Sequence, residues 1–143
     1  MRDKSHMSKV KPVVLSISIG LFLLSLFGNG YCTDNSCRNS FELLLMGGIA
    51  MLTGGAAISW LASPLLVASW VLLTRNKKAA WAFGLAAVIC CLFFLRFKVV
   101  IDDEAGNYRT ITNIGWGYWL WLVSCLTSCI GSLMLRIFPI TRR

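Results

Sequence analysis

Apolar residues in this chain fall in long, nearly charge-free stretches separated by short polar segments, a pattern that predicts membrane-spanning helices. The first stretch, residues 13–27 with an extension through Gly30, follows a basic segment containing Lys9 and Lys11. A signal peptide shares that charge and length, so the residues after it must separate the two readings. Gly28-Asn29-Gly30-Tyr31-Cys32 offers a turn rather than a small-x-small cleavage site, and Tyr31 stands where a lipoprotein wants a small residue before Cys32. A retained span over about residues 12–29 is expected, with cleavage as the alternative.

The second stretch, residues 43–73, contains no formally charged side chain. As one helix it would be about 46 Å long, well beyond a ~30 Å hydrocarbon core, yet it is too short for two crossings of ~20 residues each. Gly47, Gly48, Gly54, Gly55 and Pro64 interrupt it. The pattern predicts an interfacial or tilted helix over about residues 41–53 and a bend near Gly54. A span over about residues 56–73 follows, kinked at Pro64, where Ser63 or a neighbouring helix satisfies the freed carbonyl. One long tilted helix is the alternative.

The third span covers about residues 79–96 and the fourth about 115–135. Residues 97–113 between them change character. Val99, Val100 and Ile101 form a β-branched run, Ala105-Gly106-Asn107 reads as a turn, and Tyr108-Arg109-Thr110-Ile111-Thr112 is a second strand-forming run. A β-hairpin with its tip near Gly106 follows from those propensities. The expected fold class is an all-α membrane protein: one domain over residues 1–143, with four transmembrane helices and a small extracytoplasmic β-hairpin between helices 3 and 4.

Composition sharpens this picture. Of 143 residues, 57% are hydrophobic and 14% charged, whereas soluble chains carry roughly 25% charged residues. The net charge of +8 is unevenly placed. Arg2, Lys4, Lys9, Lys11, Arg75, Lys77, Lys78, Arg136, Arg142 and Arg143 flank the spans at three points, with Asp3 the lone acid among them. Arg38, Arg96, Lys98 and Arg109 share the intervening segments with Asp34, Glu42, Asp102, Asp103 and Glu104. Four crossings bring the three basic clusters to one side, which is the positive-inside signature of a cytoplasmic face. Both termini and the loop at residues 74–78 are then cytoplasmic, while residues 28–40 and 97–114 lie outside. A nucleic-acid partner would need a basic stripe on a soluble module, and the chain has none. Trp70 and Trp81 bracket the cytoplasmic loop, and Trp116, Tyr118, Trp119 and Trp121 crowd the outer start of the fourth span, as interfacial aromatic belts do. A ligand-stacking cage of Trp116, Trp119 and Trp60 is the sharper alternative.

Candidate chemistry is sparse. Cys32 and Cys37 lie in the first outer loop, where an oxidising compartment favours a disulfide closing a small ring. A metal site there would need further thiols or imidazoles, and the single histidine, His6, belongs to the N-terminal segment. Asp102, Asp103 and Glu104 lack the alternating ligands and distal Glu of a helical calcium loop, and read as a solvated acidic turn. Cys90, Cys91, Cys125 and Cys129 sit within spans, and Ser124, Ser128, Gly131 and Ser132 continue the small-residue character that close helix packing uses. No span holds a mid-membrane ionisable residue of the kind proton-coupled transport leaves behind; Glu42 sits at the outer edge of its segment. Gly-x-Ser-x-Gly, His-Glu-x-x-His and phosphate-loop glycines are all absent, so no catalytic residue, cofactor or metal is expected and the chain reads as a non-enzyme.

Four spans with a cysteine pair soon after the first resemble, in architecture, the quinone-linked disulfide-generating proteins of the bacterial inner membrane. Their pattern has Cys-x-x-Cys in that place and a second pair in the other outer loop. Here the spacing is Cys-x4-Cys and residues 97–114 contain no cysteine, so the electron relay lacks a partner. Trp60-Leu61-Ala62-Ser63-Pro64-Leu65-Leu66, Asp103-Glu104-Ala105-Gly106-Asn107-Tyr108 and Gly117-Tyr118-Trp119-Leu120-Trp121-Leu122 look like segments of small four-span bacterial membrane proteins that have no assigned activity. That resemblance implies a bacterial inner membrane and the same topology, and brings no functional residues.

The expected role is a non-enzymatic accessory or interaction subunit. It would contact the lipid bilayer and a protein partner or second copy, through an outer surface of Asp102, Asp103, Glu104, Tyr108, Trp116 and Trp119 beside the Cys32–Cys37 loop. Immunity or exclusion against a toxin or mobile element is one alternative, and a thiol-disulfide oxidoreductase or small transporter another.

Overall fold

The computed structural model describes residues 4–101 and 106–138, so Asp102, Asp103 and Glu104, with Arg2, Asp3, Arg142 and Arg143, lie outside the described residues. The first helix, α1, covers Lys4–Ser25 with Pro12 inside it, beginning two turns earlier than the apolar run alone implies. It closes at Gly28, whose N–H bonds back to Ser25 O. Strands β1 (Asn29–Thr33) and β2 (Cys37–Asn39) follow as an antiparallel pair, and then α2 (Ser40–Ala50), capped by Asn39, whose side chain accepts from Phe41 N.

The expected break in the second apolar stretch is present, and it excludes one long tilted helix. After α2 a 3-10 turn over Met51–Thr53 leads to Gly54 at φ 76° and Gly55 at φ 64°, conformations that side chains with a Cβ avoid. A second 3-10 segment, Gly55–Leu61, runs into α3 (Ala62–Thr74). Pro64 thus follows the change from 3-10 to α winding, in the first turn of α3, where a missing N–H is tolerated best. The winding change takes the place of the expected kink within a continuous span.

Asn76 at φ 54° ends α3, with Lys77 N bonded to Leu72 O and Asn76 N to Leu73 O, and this left-handed cap turns the chain into α4 (Ala80–Phe94). Strands β3 (Val99–Ile101) and β4 (Tyr108–Ile114) form the expected hairpin, with Gly106 at φ 78° by its tip, and α5 (Trp116–Ile137) completes the chain. The sheet is larger than expected: β1 also pairs with β4, giving one antiparallel sheet in the order β2-β1-β4-β3. Two segments, Gly55–Thr74 and Trp116–Ile137, are long and apolar enough to cross a bilayer, while α4 is a shorter apolar helix of 15 residues.

Helix α5 is the centre of the bundle, packed against α1 and α4, with α3 against α4 and also touching α5. The core holds Leu66, Ala87, Val88, Cys91, Phe94, Tyr118, Leu122 and Cys125. It also buries Ser18, Ser25, Ser59, Ser63, Ser69, Ser124, Ser128 and Ser132, while Val13, Ile17, Leu23, Leu24, Val67, Val71, Ile89, Leu92, Phe93, Ile130 and Met134 face outward. Serines thus share the core with large apolar side chains, while many other large apolar side chains stand exposed.

Candidate functional site

The two ends of the bundle differ in chemistry. At one end Lys11 Nζ donates to Thr74 O at 2.8 Å and to Asn76 Oδ1 at 2.7 Å, joining the N-terminal basic segment to the loop that carries Arg75, Lys77 and Lys78. The Arg136 guanidinium lies 4.9 Å from the ring centre of Trp81 at the same end. Lys11, the loop at residues 74–78 and Arg136 therefore lie at one end of the bundle.

The sheet occupies the other end. Cys32 and Cys37 face each other across β1 and β2 and are disulfide-bonded. Thr112 Oγ1 donates to Cys32 O at 3.1 Å, and the Asn35 amide, with its oxygen turned to Arg109, accepts from Nη1 at 2.9 Å and Nη2 at 3.2 Å. These contacts make the disulfide turn and the hairpin one body, which sequence reasoning treated as two separate loops. Arg38 Nη1 donates to Glu42 Oε1 at 2.7 Å, an i,i+4 pair tying β2 to the first turn of α2.

Aromatic rings join the sheet to the bundle. Phe94 lies 5.8 Å from Tyr31 of β1 and 5.5 Å from Tyr118 of α5, centre to centre. Tyr118 OH donates to Cys91 O at 2.7 Å, and its ring meets Trp119 and Trp121 edge-on. Gly28 supports the same junction: a Cβ there would stand 2.8 Å from Gly117 Cα and from the Trp116 ring, so only glycine lets the end of α1 reach α5.

Of the expected outer surface, Tyr108, Trp116 and Trp119 are exposed at the sheet end. The three proposed cage residues are not gathered. Trp60 packs on Gly47 and Gly48 and donates from Nε1 to Leu44 O at 2.9 Å. Trp119 lines a separate shallow hollow with Phe97, Lys98 and residues 111–114. Of the helix thiols, Cys91 Sγ lies 3.6 Å from Cys125 Sγ, both buried, and α4 meets α5 closely at Gly84 and Cys129.

Sequence reasoning missed a half-open cavity of about 1170 Å³ lined by the sheet, α2, the second 3-10 segment and the ends of α1, α4 and α5. The α2 helix has no buried residue, and this is the signal that it stands off from the bundle. Compared with protein-family models, curated proteins and solved structures, the chain matches none.

Proposed function

We propose that the chain is a four-span protein of a bacterial inner membrane, with α1, the Gly55–Thr74 segment, α4 and α5 as the crossings. The basic end is cytoplasmic and the disulfide-closed sheet is extracytoplasmic. Its role is that of a non-enzymatic interaction subunit that meets a protein partner or second copy through the sheet end. The observation that carries this reading is the number of large apolar residues exposed on the bundle over a core that includes eight buried serines, which water would penalise and lipid accepts. The convergence of Lys11, the 75–78 loop and Arg136 at one end supports the orientation. The contact surface is supplied at the sheet end by Tyr108 of β4 and by Trp116 and Trp119 in the first turn of α5, all exposed.

Reporter fusions at Lys77 and Gly106 test the topology. Opposite sides are expected, and both on one side overturns it. Mild-detergent co-purification tests the role: a partner retained by the intact chain should be lost when Trp116 and Trp119 are both changed to Ala. Retention would move the contact elsewhere.

A further inference from the structure

The cavity under the sheet is built for a ligand of definite character. At about 1170 Å³ it exceeds the ~300–1,000 Å³ of ordinary small-molecule pockets. Its walls are apolar and aromatic, with Phe22, Leu43, Trp60, Phe94, Tyr118 and Trp121 among them. Among the described residues on its lining the charged ones, Arg38 and Glu42, are paired with each other. Two lining residues hold a buried polar atom without a partner, Trp121 Nε1 and Ser40 Oγ. An indole N–H can only donate, and leaving it buried and unpaired costs about 1–3 kcal/mol, so an occupant must bring an acceptor.

The outer wall is α2. Its residues Phe41 and Leu45 are exposed and apolar, and Leu43, Leu44, Met46, Gly47 and Ile49 line the cavity. It is tied to the bundle through Gly54 and Gly55, where no atom stands within 4 Å of an added Cβ. Met46 and Ile49 are both exposed and on the cavity lining, so the cavity opens to the outside along α2.

We propose that this cavity binds a lipid with a long hydrocarbon chain and an ester carbonyl, admitted sideways from the bilayer past α2, with the carbonyl accepting from Trp121 Nε1. The proposal rests on the membrane placement above. Two sources share that chemistry, a bilayer phospholipid and a free neutral acylglycerol.

The test uses full-length protein in phosphatidylcholine vesicles doped with diazirine-acyl phosphatidylethanolamine or diazirine-acyl diacylglycerol, with mass-spectrometric mapping after photolysis. Labelling of Leu43, Leu44 and Phe94 is expected beside that of the outward Leu23 and Ile130. Equal labelling by both probes assigns a bilayer phospholipid; preference for diacylglycerol assigns a free neutral lipid. Ala57→Phe, which places a ring in the cavity, should cut inner labelling about tenfold and leave Leu23 and Ile130 unchanged. Trp121→Phe keeps the ring and should cut inner labelling about fivefold, the worth of one net hydrogen bond. An ether-linked analogue of the same probe, which lacks the carbonyl, should be indifferent to that change. Outer labelling without inner labelling overturns the lipid site and leaves the membrane reading standing. Inner labelling insensitive to both variants also overturns the site, and no labelling anywhere overturns the membrane reading and this proposal together.

Discussion

Ser18 and Ser124 exchange hydrogen bonds across the buried seam between α1 and α5, each hydroxyl donating to the other's backbone carbonyl, at 2.9 Å from Ser18 and 2.6 Å from Ser124. Trp70 Nε1 adds a third donor, reaching Ser18 Oγ at 2.9 Å, so one small side chain joins three helices. Interhelical bonds of this kind in membrane proteins contribute about 0.6 kcal/mol on average and up to ~1.7. Ser124→Ala should therefore cost about 1 kcal/mol in a detergent unfolding titration, and Ser18→Ala more, because it also strands the Trp70 donor. A double-mutant cycle should show coupling of about 0.5–1.5 kcal/mol between the two sites; strict additivity would mean the exchange contributes nothing.

Glycines on the bundle are not equivalent. A Cβ at Gly84 would lie 2.9 Å from Cys129 Cα and 3.1 Å from Cys129 N, so Gly84→Ala must push α4 from α5. A Cβ at Gly20 meets nothing within 4 Å. Gly84→Ala should destabilise by about 1–3 kcal/mol, the cost of overpacking, whereas Gly20→Ala should be neutral or stabilise by up to about 1 kcal/mol through helix propensity. Comparable effects in thermal unfolding would remove the claim that α4 and α5 meet backbone to backbone.

The Cys32–Cys37 bond closes a ring with a sequence separation of 5, and restricting so short a loop is worth about 2 kcal/mol on the chain-entropy account. Changing both cysteines to Ser should loosen the β1–β2 turn and, through Thr112 and Arg109, the β4 strand. Hydrogen exchange should rise over the sheet and stay unchanged in α3, α4 and α5. The same variant separates a structural bond from a catalytic one: oxidation of client thiols should be unaffected, and its loss would revive the oxidoreductase alternative.

The helical part of this fold was legible because its helices write themselves as long apolar runs. The bend was legible too, because Gly54 and Gly55 are adjacent and unsupported. The hairpin followed from Val99, Val100 and Ile101 facing a strand-forming run across Gly106. Strand β1 was not legible: Gly-Tyr-Cys inside a glycine turn has no alternation long enough to register, and its strand character comes from pairing with β4, a long-range contact. The cavity escaped for a related reason. Leu43, Leu44 and Gly47 look like any apolar helix positions, and only the stand-off of α2 leaves a space behind them.

What fixes α2 at that stand-off is Trp60. Its indole lies on Gly47 so closely that a Cβ there would overlap the ring, while a Cβ at Gly48 would make an ordinary 3.5 Å contact with Cη2 and Cζ2. The ring is held in turn by its bond from Nε1 to Leu44 O. Gly47→Ala should therefore push Trp60 off α2, lose that bond and raise hydrogen exchange over residues 40–61 without affecting the bundle. Overpacking of this kind costs about 1–3 kcal/mol. Gly48→Ala, one residue away on the same helix, should leave exchange unchanged or slightly lower it. In a Trp60→Leu background the space opens and Gly47→Ala should cost little more, so the two changes are non-additive because they act on one contact. Equal effects of the two alanines, or additivity with Trp60→Leu, would mean that α2 is held by something other than this ring.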